Sequence, residues 1–226
     1  MVREARTAVA LTPEDARRLS DLAGGWEVAV VPPPFPSRLP ASTRPLAGDP
    51  PLVLLGSGGW WPNRDARTWL GEEIWPRVAA RVPGAVLHRF GGTSRPMASR
   101  DGDDRIVDHE PPADSRDAFA PNAVLVVPLR IASGIRMKIL EAWARGVPVV
   151  ATPRAAAGLG AEDGRELLLA TEAEDFARAV ERLVGEEGLR ERLVRAGRQA
   201  LESRHDGARI ARRLRDRYLP RSAPGC

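Results

Sequence analysis

What most constrains this chain is a series of short apolar runs that do not alternate. They are Leu52–Leu55, Ala85–Phe90, Ala123–Pro128, Val147–Thr152 and Glu166–Ala170, with a further short strand at Arg105–Asp108. Successive strand side chains point to opposite faces, so a strand apolar at consecutive positions is covered on both sides. Between the runs the apolar residues fall at helical spacing. Ala66, Leu70, Ile74 and Val78 lie within 63–82, Phe176, Ala177, Val180, Leu183 and Val184 on a later stripe, then Leu189, Leu193, Ala196 and Ala200, and last Ile210, Ala211, Leu214 and Tyr218. Strands separated by helices and buried on both faces predict an α/β fold with a doubly wound parallel sheet. Pro76 lies inside the first helical stretch and predicts a kink or break. A short helix is expected over 114–119, and another over 134–145, ended by Gly146.

Before Leu52 the pattern differs. Thr7–Leu11 reads as a strand, and Thr12-Pro13-Glu14-Asp15 as an N-cap, a proline at the first helical position and acids in the first turn. That helix runs to about Leu22, where Gly24-Gly25 stops it, and Trp26–Val31 follows as a second apolar run. Residues 32–51 hold eight prolines and read as an extended linker.

The single cysteine, Cys226, leaves no disulfide framework, and three scattered histidines (His88, His109, His205) make a metal site unexpected. The apolar runs are far shorter than the roughly 20 residues of a membrane span, and the charged N-terminus leads into no signal core. The expectation is a soluble, cytoplasmic protein without stable membrane insertion. Net charge is only +4, with 30 carboxylates set among the cations, so no nucleic-acid partner is expected.

In open parallel sheets ligands bind beyond the carboxyl ends of the strands. Two such ends are glycine-rich, Gly56-Ser57-Gly58-Gly59 and Gly91-Gly92, which a tight turn needs in any case. The end of the run at 123–128 is more informative: Pro128-Leu129-Arg130-Ile131-Ala132-Ser133-Gly134-Ile135-Arg136-Met137-Lys138-Ile139-Leu140-Glu141-Ala142. Ser133 can cap a helix there, Gly134 allows close approach to the backbone, and the free N–H groups of the first turn attract an anion. Arg136 and Lys138 in that turn oppose the helix dipole unless an anion is bound. Lys138 is the only lysine, against 33 arginines, which either selects a compact ammonium at this place or reflects chance. Glu141, three residues on, either accepts from the hydroxyls of a ribose or pairs with Lys138.

Taken together these segments resemble the nucleotide-sugar-binding, C-terminal half of a GT-B-fold glycosyltransferase of the family 4 (group 1) type. The resemblance covers Leu54–Ser57 with Trp61-Pro62-Asn63-Arg64-Asp65-Ala66, then Ile74-Trp75-Pro76 and Pro83-Gly84, then 128–142 with Gly146–Thr152, and Ala157-Gly158-Leu159 with Gly164–Leu168. It implies a hexosyltransferase-like enzyme moving a sugar from a nucleoside diphosphate donor, with retention, without metal or other cofactor. It places the diphosphate against Ser133, Gly134, Ile135, Arg136 and Lys138, the ribose on Glu141, and the base or cleft wall at Gly56, Ser57, Gly58, Gly91 and Val107. Ser133 stands where the family's Glu-x7-Glu motif has its first glutamate, so that carboxylate is absent. The organisation it implies is a remnant of an N-terminal acceptor domain at 1–31, a linker at 32–51, a Rossmann-like donor domain at 52–205, a crossing helix at 206–219 and a tail at 220–226. On this resemblance the sequence given holds little of an acceptor domain, so a fragment, one half of a split enzyme or a decayed remnant is expected, with a partner chain or a homo-oligomer and little turnover alone. Two other readings remain: a non-catalytic nucleotide-binding or regulatory module, and a sugar-nucleotide epimerase of the same fold.

Of the remaining residues, His88 and His109 flank strand ends and read as ordinary edge residues or as ligands. Trp60-Trp61 could stack on a base or sugar, and packing beneath the glycine turn is the expectation. The arginines of 209–217 read as a solvated helical face, with an anionic partner as the alternative.

Overall fold

The computed structural model describes residues 7–24, 26–92 and 103–218. The tail read at 220–226 lies outside these residues.

Two parallel sheets form. The small one pairs β1 (Thr7–Ala10) with β2 (Glu27–Val30) across helix α1 (Pro13–Ala23). Thr12 caps α1, its hydroxyl accepting from the Asp15 N–H at 3.0 Å. The large sheet holds β3 (Pro51–Leu55), β4 (Val86–Phe90), β5 (Ile106–His109), β6 (Val124–Val127), β7 (Val149–Ala151) and β8 (Leu168–Leu169). All its pairings are parallel, and the spatial order is β5-β4-β3-β6-β7-β8. The chain winds outward from β3 through β5, then returns to β6 and winds the other way. The order therefore reverses between β3 and β6, and a crevice opens at their carboxyl ends.

The non-alternating runs are explained by two cores, one on each face. Leu52, Leu54, Val124 and Val126 pack with Trp69, Val78, Phe176 and Val180 on one side. Val53, Leu125 and Val127 pack with Leu140, Trp143 and Leu201 on the other. The first face is covered by α2 (Trp61–Trp69), α3 (Trp75–Arg81) and α6 (Ala173–Gly185), the second by α4 (Met137–Arg145) and α7 (Leu189–Arg204). Gly197 lets α7 lie close to the sheet-covering layer, since a Cβ there would come within 2.6 Å of the Trp143 ring. The short helix α5 (Pro153–Ala156) follows β7, and α8 (Gly207–Tyr218) ends the described chain.

Of the kink or break predicted at Pro76, the break does not occur. The helix runs on from α2 to α3 through a wider π turn, Leu70–Ile74, with the Trp75 N–H bonded to the Leu70 carbonyl. A proline lacks its N–H and crowds the turn before it, and one widened turn absorbs both without ending the helix. The stretch at 114–119 is a 3-10 turn, Ser115–Ala118, begun by the Asp114 side chain.

Candidate functional site

The site lies at the strand-order reversal. Gly56–Gly58, leaving β3, is fastened to the end of β4: the Gly56 N–H donates to the Phe90 carbonyl at 3.2 Å and the Gly58 N–H to the Gly91 carbonyl at 2.7 Å. Gly91 has φ +81°, and a Cβ there would sit 2.8 Å from the Gly56 carbonyl oxygen, so this contact needs glycine. Asn63 at the start of α2 steadies the turn, its Nδ2 donating to the Ser57 carbonyl at 3.0 Å.

Across the crevice, α4 begins three residues later than the sequence indicates. Its first residue is Met137, and Arg136 is an extended N-cap with φ −84° and ψ 91°. Ser133 is therefore not the cap, and Gly134 and Ile135 lie in the approach loop rather than in the first turn. The reason is Gly134, whose φ of +71° turns the chain away from helical geometry. No side chain caps α4. The N–H groups at its start, Met137 and Lys138, have no acceptor within the helix.

Two cations converge on that uncapped end. Arg136 is only 8% exposed, its Nη1 is buried without a hydrogen-bond partner, and its guanidinium carbon is 5.9 Å from the Trp60 ring centroid. Burial alone lowers its pKa. Lys138 Nζ donates to the Leu55 carbonyl, tying α4 to the end of β3. Burial first, and then the Arg136 charge, lower its pKa from the ordinary 10.5 to about 8. Among the described residues neither cation has an acidic partner. A buried guanidinium without a counter-charge is costly, so the arrangement is complementary to an anion.

Glu141 does not pair with Lys138. Its Oε1 accepts from Ser115 Oγ at 2.6 Å and from Arg145 Nε at 2.9 Å, and the carboxylate side chain is 17% exposed. The Arg145 contact was legible as an i,i+4 pair with the acid N-terminal. Ser115, 26 residues upstream, was not. Val107 stands apart on the edge strand β5, with β4 between it and β3.

Trp60 and Trp61 are 43% and 52% exposed, so they do not pack beneath the glycine turn. The histidines are joined: His88 Nδ1 lies 2.8 Å from His109 Nε2, His88 Nε2 2.9 Å from the Ala47 carbonyl, and the His109 ring stacks on Phe90 at 4.2 Å. If His88 donates to Ala47, its Nδ1 accepts from His109, a neutral pair. Burial lowers both pKa values, aided at His109 by His88. On the other face of β4 and β5, Asp108 holds two buried arginines, Arg67 at 2.6 Å and Arg89 at 2.6 Å. Among the described residues, no group of three or more His, Cys, Asp or Glu side chains is arranged to hold a metal, and no helix is long and apolar enough to cross a membrane.

The family model described as glycosyl transferases group 1 matches residues 50–186. The chain belongs to that family. It is 30% identical over 215 residues to the lipopolysaccharide core biosynthesis glycosyltransferase LpsE of Rhizobium meliloti (strain 1021), an alignment covering 84% of this chain and 57% of LpsE. Solved structures share the fold. Staphylococcus aureus TarM superposes with a TM-score of 0.76 at 14% identity, covering 95% of this chain and 44% of TarM. Anabaena HepE, in complex with UDP and glucose, gives 0.72 at 16% identity, covering 95% and 63%. Sucrose-phosphate synthase from Thermosynechococcus elongatus gives 0.70 at 18%, covering 94% and 57%. This group 1 glycosyl transferase chain thus spans little more than half the length of LpsE.

Proposed function

We propose that this chain is the donor-binding half of a glycosyltransferase, taking a nucleoside diphosphate sugar into the crevice between β3 and β6. The observation that carries the reading is the uncompensated cation pair, Arg136 and Lys138, at an uncapped helix start. A diphosphate supplies the missing negative charge and accepts from the free N–H groups at Met137 and Lys138. Glu141 would then take the ribose, and Gly56–Gly58 and Gly91 would line the base side, Val107 lying a strand further out. During transfer, charge grows on the departing diphosphate oxygen, and donors already aimed there stabilise it. The reaction we assign proceeds with retention and without a resident metal, the two cations serving as counter-charge. UDP is the first nucleotide to test, since HepE is solved with it.

The acceptor would be held by a further lobe, supplied by another segment, a partner chain or a second copy. The β1-α1-β2 unit supports this, because two strands are too few to be stable alone and it exposes Val9, Leu11, Leu19 and Leu22. We infer donor binding with little turnover for this chain by itself. Calorimetry with UDP, GDP and ADP on the wild type and Arg136→Gln tests the site. One nucleotide should bind, and the substitution should weaken it at least about tenfold, as loss of a charge-assisted contact does. No binding by any of the three refutes the reading.

A further inference from the structure

We propose that Ser115 and Arg145 are positioning residues that lock Glu141 by one oxygen and present the other to the ribose hydroxyls; this rests on the donor-site reading above. Ser115 Oγ, Arg145 Nε and Arg145 Nη2 all reach Oε1, at 2.6, 2.9 and 2.9 Å. No described residue bonds Oε2. An ionised carboxylate has about four acceptor sites, and a structural ion pair with arginine usually engages both oxygens side by side. Here the guanidinium is turned so that Nε and Nη2 converge on a single oxygen. Arg145 is held in that pose from outside: its Nη1 donates to the Pro40 carbonyl, its guanidinium lies 5.6 Å from the Phe119 ring centroid, and its side chain is 9% exposed. Three fixed donors on Oε1 remove the rotational freedom of the carboxylate without using Oε2, so the ligand meets an acceptor already in place.

Lys138 lies on the same helix three residues before Glu141, and Ser115 lies on the connection between β5 and β6. The carboxylate thus stands about one helical turn beyond the proposed diphosphate site, within reach of the ribose that the diphosphate carries. The geometry also explains why Ser115, far away in sequence, is drawn to this helix.

The test uses UDP and 2′,3′-dideoxy-UDP, which lacks both ribose hydroxyls, on the wild type, Glu141→Gln, Ser115→Ala and Arg145→Gln, with Kd read by calorimetry. Wild type should prefer UDP by about tenfold or more, and Glu141→Gln should abolish the preference. Ser115→Ala and Arg145→Gln should each remove most of it by weakening UDP and leaving the dideoxy compound unchanged. A merely structural role would weaken both nucleotides equally. Ser115→Ala keeps the test open should Arg145→Gln fail to fold. If both variants keep the full preference, or bind UDP more tightly because a competitor for Glu141 is gone, the inference is overturned while the ribose role of Glu141 stands. If wild type takes none of UDP, GDP and ADP, the donor-site reading falls and the inference with it; if it binds UDP but does not distinguish the two nucleotides, the ribose role of Glu141 and this inference fall while diphosphate binding stands.

Discussion

If the crevice holds a nucleoside diphosphate as proposed, the charge state of Lys138 ties its affinity to pH, and the lowered pKa of that amine sets where the dependence begins. In the free protein its amine is held at about 8, against an ordinary 10.5, because it is buried and faces Arg136. A docked diphosphate adds two or more negative charges beside the amine and restores its proton affinity to at least the ordinary value. Below pH 8 the free amine is already protonated, so affinity is flat. Above pH 8 each binding event must take up a proton, and affinity falls tenfold per pH unit until the bound-state value is reached. Across the interval of about 2.5 pH units the loss reaches roughly 300-fold, or about 3 kcal/mol. The second ionisation of a terminal phosphate lies near 6, outside the window. Calorimetric titration with UDP from pH 7 to 10.5 reads the slope, and at pH 9 two buffers of different ionisation heat should report nearly one proton taken up. Lys138→Met should bind weakly with no such slope, and Arg136→Gln should move the onset upward. A wild-type affinity that is level from pH 8 to 10.5, or a slope that survives in Lys138→Met, refutes the reasoning.

Three further outcomes follow from the packing. Gly91→Ala forces a Cβ to 2.8 Å from the Gly56 carbonyl at a φ of +81°, and should cost about 2 kcal/mol or more in urea unfolding; a loss under 0.5 kcal/mol would show that the turn relaxes freely. Asp108→Asn takes the carboxylate from two buried arginines, one of which, Arg67, already has an unpartnered Nη2; roughly 3 kcal/mol of destabilisation is expected by the same measurement, since breaking a buried pair strands its charge. The pKa values of His88, His109 and His205 are all lowered in the fold, so the folded state resists protons that unfolded imidazoles accept. Stability should hold above about pH 6.5 and fall from there to pH 5.5, less so in His109→Phe, and a urea midpoint unchanged between pH 7.5 and 5.5 would contradict this.

The large sheet was legible because burial on both faces writes itself into consecutive residues: β3 and β6 place Leu52 and Val124 in one core and Val53 and Leu125 in the other. The helix read over 63–82 was legible in period but not in detail, since the choice between a kink, a break and a π turn at Pro76 depends on packing around Trp69, Leu70 and Ile74. The start of α4 was misplaced because Ser-Gly before a helical run matches a cap, whereas Gly134 takes a φ of +71° and the next residue, Ile135, sits beside Gly158, a neighbour that the local sequence does not show. Composition singled out Lys138, but not its bond to Leu55, which joins residues 83 positions apart. Trp60 and Trp61 read as core by their size, and only the fold reveals that they stand at the open rim.

Because Lys138 is the only lysine, protein grown with lysine labelled at Cε and Nζ gives one side-chain signal, and that signal reports directly on the proposed diphosphate site. Followed by NMR through a pH titration without nucleotide and with saturating UDP, GDP or ADP in turn, it should titrate near 8 in the free protein and move to 10.5 or above with the nucleotide that binds. A lysine signal whose position and midpoint are unchanged by all three would contradict the assignment of this crevice to a nucleotide diphosphate.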